Sequence, residues 1–398
     1  MTRWSSAKLG EVCSVVGGGT PTRSNPAYYG GPIPWVTPKD MKTWEIRGSE
    51  IGITKLGLEN SAARLVPPNS ALVVVRSGVL KHTVPVAISR VPVAINQDMK
   101  ALLCNDKLHP DFLARFVKAS SPTILKWVRA TTADNFPIDK LKQLEIPLPP
   151  PDEQHRIAEI LDLADELRAK RRAALGELEA LTQSIFLDMF GDPAGHGWRL
   201  DTVANVAVSS RNSIRTGPFG SQLLHSEFTN DGIAVLGIDN VVANEFRWAR
   251  PRYISEGKYR GLVRYRVYPG DVLITIMGTC GRCAIVPENV PVAINTKHLC
   301  CITLDSEKCL PVFLHAYFLW HPSARTYLAQ KAKGAIMEGL NMGIIREMPI
   351  PLAPLELQRL FEERIRHIDR LRRDAVSSLA KLDEVFDSLQ HRAFRREL

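Results

Sequence analysis

Cys280-Gly-Arg-Cys283, followed by Cys300-Cys301, carries the residue types of a zinc site. A zinc ribbon needs two separated pairs whose thiolates converge on one ion. Adjacent residues in a strand point to opposite faces, so Cys300 and Cys301 cannot both reach it. The seven cysteines, an odd number, are read instead as free thiols that pack as small hydrophobes. Asn25-Pro-Ala-Tyr28 has the outline of a loop that holds a target amine for methyl transfer, but lacks its second proline. Gly17-Gly-Gly19 leads to Thr20-Pro21 and not into a helix, so it offers no turn for a methyl donor. Asp98-Met-Lys100 could close a nuclease acid–lysine motif, yet no upstream acids complete it. No Gly-x-x-x-x-Gly-Lys-Ser/Thr, His-Glu-x-x-His or Gly-x-Ser-x-Gly element occurs. The expectation is a binding and scaffolding protein with no catalytic residue, no metal and no cofactor.

If the chemistry is recognition, what matters is the framework that holds the recognising residues. Val-Pro-Val-Ala-Ile-Asn occurs at residues 91–96 and again at 290–295, 199 residues apart in a chain of 398. Other segments repeat with it. Trp4, Leu9 and Val12 match Trp198, Val203 and Val206. Residues 33–40 match 233–240 in hydrophobic pattern, 68–75 match 269–276, and 146–154 match 350–358. A period of that size is domain-sized, so one domain has been duplicated.

Each copy divides into a globular part and a rod. Short β-branched runs such as 71–75 and 272–276 read as strands, while 111–126 and 311–331 read as helices. A proline-rich hinge follows, at 146–151 and 349–354, and proline there ends one element and pre-sets the next. Beyond each hinge, apolar residues step by threes and fours, which predicts a long helix with a coiled-coil seam. Ile157, Ala164, Leu178, Leu181 and Ile185 carry the first seam, and Phe361, Ile368, Leu379, Leu382 and Phe386 the second. One arginine interrupts each, Arg171 and Arg372. The expected fold is α+β: two similar α/β domains, 1–151 and 191–355, separated by helices 152–190 and 356–398 in an antiparallel coiled coil.

Bulk properties bound the class. Forty-five per cent hydrophobic residues argues for an ordered globular protein and against disorder. No apolar run is long enough to span a bilayer and no signal-peptide core opens the sequence, so a cytoplasmic protein without a membrane partner is expected. A formal charge of +9 and a pI near 9.2 fit a polyanionic partner without identifying it.

These residues resemble a family. Gly18-Gly-Thr-Pro21 with Tyr29-Gly-Gly and Ile33-Pro-Trp-Val36 looks like the opening of a target-recognition domain from a type I restriction–modification specificity subunit. Thr216-Gly-Pro-Phe-Gly-Ser221 resembles the other common opening. The segments beginning at Gly270 and Gly278, and Ile146-Pro-Leu-Pro-Pro-Pro-Asp-Glu-Gln154, are similar to later segments of that class. The resemblance implies a non-catalytic chain whose two domains each read one half of a split double-stranded DNA sequence. It also implies that methyltransferase subunits, typically two, dock on the helices and that restriction subunits add to that core. Ala353-Pro-Leu-Glu-Leu-Gln358 departs from the fuller first hinge, so equivalence of the two docking sites is open. A helix over 152–190 would be roughly 58 Å long. That would hold two readers at most about one and a half DNA turns apart.

In this domain class loops carry the readout. The candidates are Thr20, Thr22, Arg23, Lys39, Arg76, Lys81 and His82 in the first domain. In the second they are Arg215, Ser221, Gln222, Arg282, Lys297 and Lys333. Arginine and lysine can take guanine or phosphate, and glutamine can pair with adenine. Two other classes stay open on the residues alone: a scaffold whose domains bind peptides or RNA, and a chain that is itself a methyltransferase or nuclease.

Overall fold

The computed structural model describes residues 4–129, 133–333 and 339–395, apart from the side chains of 332 and 333. It forms two compact units, residues 1–172 with 377–398 and residues 173–376. In the first unit, a five-stranded sheet runs in the order Cys13–Gly17, Met99–Cys104, Ser70–Val74, Val86–Ser89, Glu45–Ile46. A four-stranded sheet beside it runs Gly52–Ile53, Tyr29–Val36, Val93–Ile95, Arg64–Val66. The second unit repeats this plan. Ile214–Thr216, Leu299–Ile302, Val272–Thr275 and Cys283–Ile285 form one sheet. Phe228–Thr229, Tyr253–Ile254, Ile233–Leu236, Ala293–Asn295 and Arg266–Val267 form the other. In both, the hexapeptide supplies the strand that pairs in parallel with the strand beginning near Ile33 or Ile233.

The middle strands are continuous apolar runs because both faces are covered. Ala71 and Val73 enter one core cluster, and Leu72 and Val74 another. Val272 and Ile274 do the same against Leu273. Cys300 and Cys301 also fall in separate clusters, on opposite faces of their strand, where burial pushes both thiols up. Among the described residues no group of three or more His, Cys, Asp or Glu side chains is placed to hold a metal.

The helices expected over 111–126 and 311–331 each prove to be two. Pro110–Ala119 is followed by Ser121–Leu125, and Pro311–Trp320 by Pro322–Lys333. Pro122 and Pro322 cause the breaks, since proline has no N–H for the helical ladder and opens a new helix instead.

The long helices are Pro151–Phe190 and Leu355–Arg395, and they pack together. Within the first unit Arg172 reaches Asp383, and Arg168 reaches both Asp383, at 2.5 Å, and the Phe386 ring. Within the second, Phe190 meets Phe361 and Arg364 meets Met189. Ile157, Phe361, Ile368 and Phe386 are buried, and Ala164, Leu178, Ile185, Leu379 and Leu382 half-buried. Leu181 is 47% exposed and stays outside the buried seam. Of the two interrupting arginines, Arg171 is exposed, while Arg372 donates to Glu245 at 3.0 Å.

One buried glutamine ties each long helix to its unit. Gln154 accepts from the His109 N–H at 2.8 Å and donates to the carbonyls of Lys107 and Pro149. Gln358 accepts from the Leu310 N–H at 2.9 Å and donates to Lys308 and Ala353. The partners match through the repeat, so equivalent positions in the two units can be identified from geometry as well as from sequence.

Candidate nucleic-acid interface

The hexapeptide strand and its parallel neighbour end at the same sheet edge, so the loops that follow them lie side by side. The Asn96 N–H donates to the Val36 carbonyl at 3.1 Å, and the Thr296 N–H to Leu236 at 2.9 Å. The loop after the middle strand joins them. The Val75 N–H donates to the Asp98 carbonyl at 2.9 Å, and the Ile276 N–H to His298 at 2.9 Å. The opening loop completes the set, with Gly19 N–H donating to Ile95 at 3.0 Å and Gly217 N–H to Thr296 at 3.3 Å.

Glycine is what permits that last approach. A Cβ on Gly18 would lie 1.9 Å from the Ile95 carbonyl oxygen, and one on Gly217 would lie 2.0 Å from the Asn295 oxygen. No side chain fits there. Two openings of dissimilar sequence, Gly-Gly-Thr-Pro and Thr-Gly-Pro-Phe-Gly-Ser, therefore set a glycine on the same backbone. In the first unit the Trp35 indole N–H, donating to Gly19 O at 3.0 Å, and the Tyr29 hydroxyl, donating to Pro21 O at 2.6 Å, hold the loop beyond it.

This four-loop edge gathers most of the candidates. Thr20 donates its hydroxyl to Gln97, and Thr22 and Arg23 follow it on the exposed opening loop. Arg76 holds Asp98 through Nε at 2.5 Å, and Asn96 donates its amide to the same carboxylate at 3.2 Å. Lys81 and His82 are exposed on the turn that Arg76 begins, and Lys39 is exposed on the loop after Val36. In the second unit Ser221 is exposed on the opening loop. Gln222 is exposed beside it, its oxygen accepting from the Tyr265 hydroxyl at 2.8 Å. Arg282 is exposed on the loop after the middle strand, and Lys297 is half-buried on the loop after the hexapeptide. The side chain of Lys333 lies outside the described residues.

Arg215 is the correction. It is buried, donating to Asp271 at 2.6 Å, to Thr303 Oγ1 at 2.9 Å and to the carbonyls of Asn212 and Arg266. Asp271 is itself buried, so this guanidinium neutralises a core carboxylate and has no donor to spare for an outside ligand. Nothing in the local sequence distinguishes it from Arg282. The distinction comes from Asp271, which the fold brings up from far along the chain.

Two loop residues escaped the sequence reading. Gln97 and His298 stand on the loops that follow the two hexapeptides, and their place in the repeat beside Lys297 is the sequence signal that marks them. Burial, with Lys297 and Arg252 nearby, lowers the His298 pKa, so the ring is neutral and can both donate and accept. Arg252 pairs with Asp239 on the adjoining loop.

Residues 1–177 match the family model described as Type I restriction modification DNA specificity domain. The EcoR124I/EcoR124II specificity subunit of Escherichia coli is 37% identical over 162 residues, which are 40% of each chain. The MjaIX specificity subunit of Methanocaldococcus jannaschii is 30% identical over 196 residues, 48% of this chain and 44% of that one. The chain thus spans less than half the length of these two relatives. Over nearly full length it shares its fold with an S subunit of a type I restriction–modification system from M. genitalium. That match has a TM-score of 0.59 and 16% identity, covering 98% of this chain and 96% of the other. The similarity to the Type I restriction modification DNA specificity domain thus lies in the first 177 residues.

Proposed function

We propose that this chain is the DNA specificity subunit of a type I restriction–modification enzyme and itself performs no chemistry. Each four-loop edge reads one part of a bipartite duplex target. The reading domains are 1–151 and 191–355, with helices 152–190 and 356–398 as a coiled-coil spacer. The single observation that carries this is the duplicated edge: two openings of different sequence fixed by the same glycine-to-hexapeptide contact. A framework held constant while its loop residues differ suits two readers of different bases. Arg23, Lys39, Lys81 and Arg282 are exposed, Lys297 is half-buried, and none of the five has an ion-pair partner among the described residues, which suits phosphate or guanine edges.

Partner docking is part of the same proposal. Methyltransferase subunits, two in number, sit on the long helices and restriction subunits join them. Apolar side chains left open on those helices support this: Leu163, Leu167 and Val385 in the first unit, Leu181, Leu371 and Val376 in the second. None of the described helices is long and apolar enough to cross a membrane.

Selection of bound duplexes by the chain with its methyltransferase partner tests the reading. The expected product is two short defined sequences separated by a fixed number of unspecified base pairs. Adding or removing two base pairs in the gap should weaken binding by at least tenfold. A continuous target, or binding indifferent to the gap, would overturn the two-reader proposal.

A further inference from the structure

The two units differ where the long helix meets the short helix that begins at Pro110 or Pro311. In the first unit the junction is filled by Arg115, which is buried. Its guanidinium lies 2.6 Å from Asp162 and 3.0 Å from Asp165, and 3.9 Å from the centre of the Trp44 ring. Phe386 is buried in the core cluster that also holds Phe112 and Phe116 of the same short helix.

The buried-glutamine contacts fix the equivalent helix positions, and the offset of 200 between residues 33–40 and 233–240 fixes those of the loop that follows. Arg115 corresponds to Ala316, Phe386 to Thr182 and Trp44 to Asn244. Three large side chains have become small ones. All three replacements line a cleft of about 500 Å³ in the second unit.

The acids did not leave with the arginine. Asp165 corresponds to Asp369, which lines the cleft with Glu179 and Glu245. Against these three carboxylates stand two cations, Arg247 and Arg372, both held by Glu245. Asp369 has Arg372 Nε at 3.7 Å, beyond hydrogen-bond distance. At the place of Asp162 stands Arg366, turned to Glu362 at 3.0 Å. His315 is half-buried, its Nε2 against two carbonyls, Asn244 O at 3.0 Å and Cys283 O at 3.1 Å, and burial lowers its pKa. The cleft therefore has one more negative charge than positive. Phe246 and Trp320 add ring faces to its wall.

We propose that this cleft is a docking slot for an arginine side chain presented by a protein partner, in the place that Arg115 fills in the first unit. A planar guanidinium can lie against a ring while donating sideways to a carboxylate, as Arg115 does on Trp44 and Asp162. An ammonium satisfies the charge but not the flat walls. Burial holds the Asp369 carboxyl above its ordinary range, as it does Asp162 beside Arg115, so an incoming cation relieves an existing cost.

Agmatine, which carries a guanidinium at one end of a four-carbon stem and an ammonium at the other, is the first probe, titrated into the full chain while the His315 ring is followed by NMR. Saturable binding on the order of millimolar is expected. It should weaken at least tenfold in Asp369→Asn and disappear in Ala316→Arg, whose own guanidinium would occupy the slot. Absence of saturation, equal binding by Asp369→Asn, or putrescine (an ammonium in place of the guanidinium on the same stem) binding as well as agmatine would each overturn the proposal. Should Ala316→Arg fail to fold, Thr182→Phe fills the slot without charge, and agmatine binding retained there is equally fatal. A blocked Ala-Ala-Arg-Ala-Ala peptide is the second probe. It should bind at least as tightly as agmatine, and its exclusion while agmatine binds would overturn a protein occupant. These titrations need no DNA, so they and the DNA-reading proposal fail separately.

Discussion

The first unit fills the junction below its sheet with its own arginine, and the second leaves the equivalent place open. At their loop edges the same two units share the parallel strand pairing and a glycine packed against the hexapeptide backbone. Duplication supplied one plan, and the two copies then diverged unevenly. The glycine-to-hexapeptide contact persisted because it is backbone against backbone, with no substitute for a missing Cβ. The Arg115 junction is side chain against side chain, and three replacements could empty it without disturbing a strand.

The comparison breaks hardest at the glycines. Gly18→Ala and Gly217→Ala each drive a Cβ into a carbonyl oxygen, at 1.9 and 2.0 Å. Each should cost about 4 kcal/mol, confined to its own unit. Calorimetry of the full chain should show one transition lost or lowered and the other in place. Tolerance at one position alone would show that the openings are not equivalent. Arg115→Ala should come next, at about 3 kcal/mol by urea unfolding, because it takes the ion pair from Asp162 and leaves Asp165 with Arg168 alone. Those carboxylates are partly exposed, which keeps the loss at the lower end of the usual range. Gln154→Leu and Gln358→Leu should each cost about 2 kcal/mol, since each abandons three hydrogen bonds in a dry place. Near-equal losses would sharpen the repeat. A much smaller effect of Gln358→Leu would show that its hinge, with Ala353 where the first has Pro149, holds the second helix less firmly.

Much of this architecture was legible in the sequence because the signals are local or repeated. Two copies of Val-Pro-Val-Ala-Ile-Asn placed the parallel strands, and threes and fours from Ile157 and Phe361 placed the long helices. The adjacent Cys300 and Cys301 were separable on strand geometry alone. Seam membership was less legible. Leu181 and Leu167 fit the spacing, but they remain open because the face of a helix that is covered depends on what else packs there. Pro122 and Pro322 were visible as breakers, yet apolar periodicity ran through both and hid the division.

Taken alone, the sequence determined the duplication, the strand and helix content, the family resemblance and the loops worth examining. Only the tertiary structure decided which charges those loops can spend. Arg215 and Arg282 look alike along the chain, but Asp271, brought beside Arg215 by the sheet, consumes one and leaves the other exposed. The open cleft is likewise invisible at any single residue. Asn244, Ala316 and Thr182 are ordinary small side chains until folding sets them around one volume, beside a carboxylate whose first-unit counterpart already has its arginine.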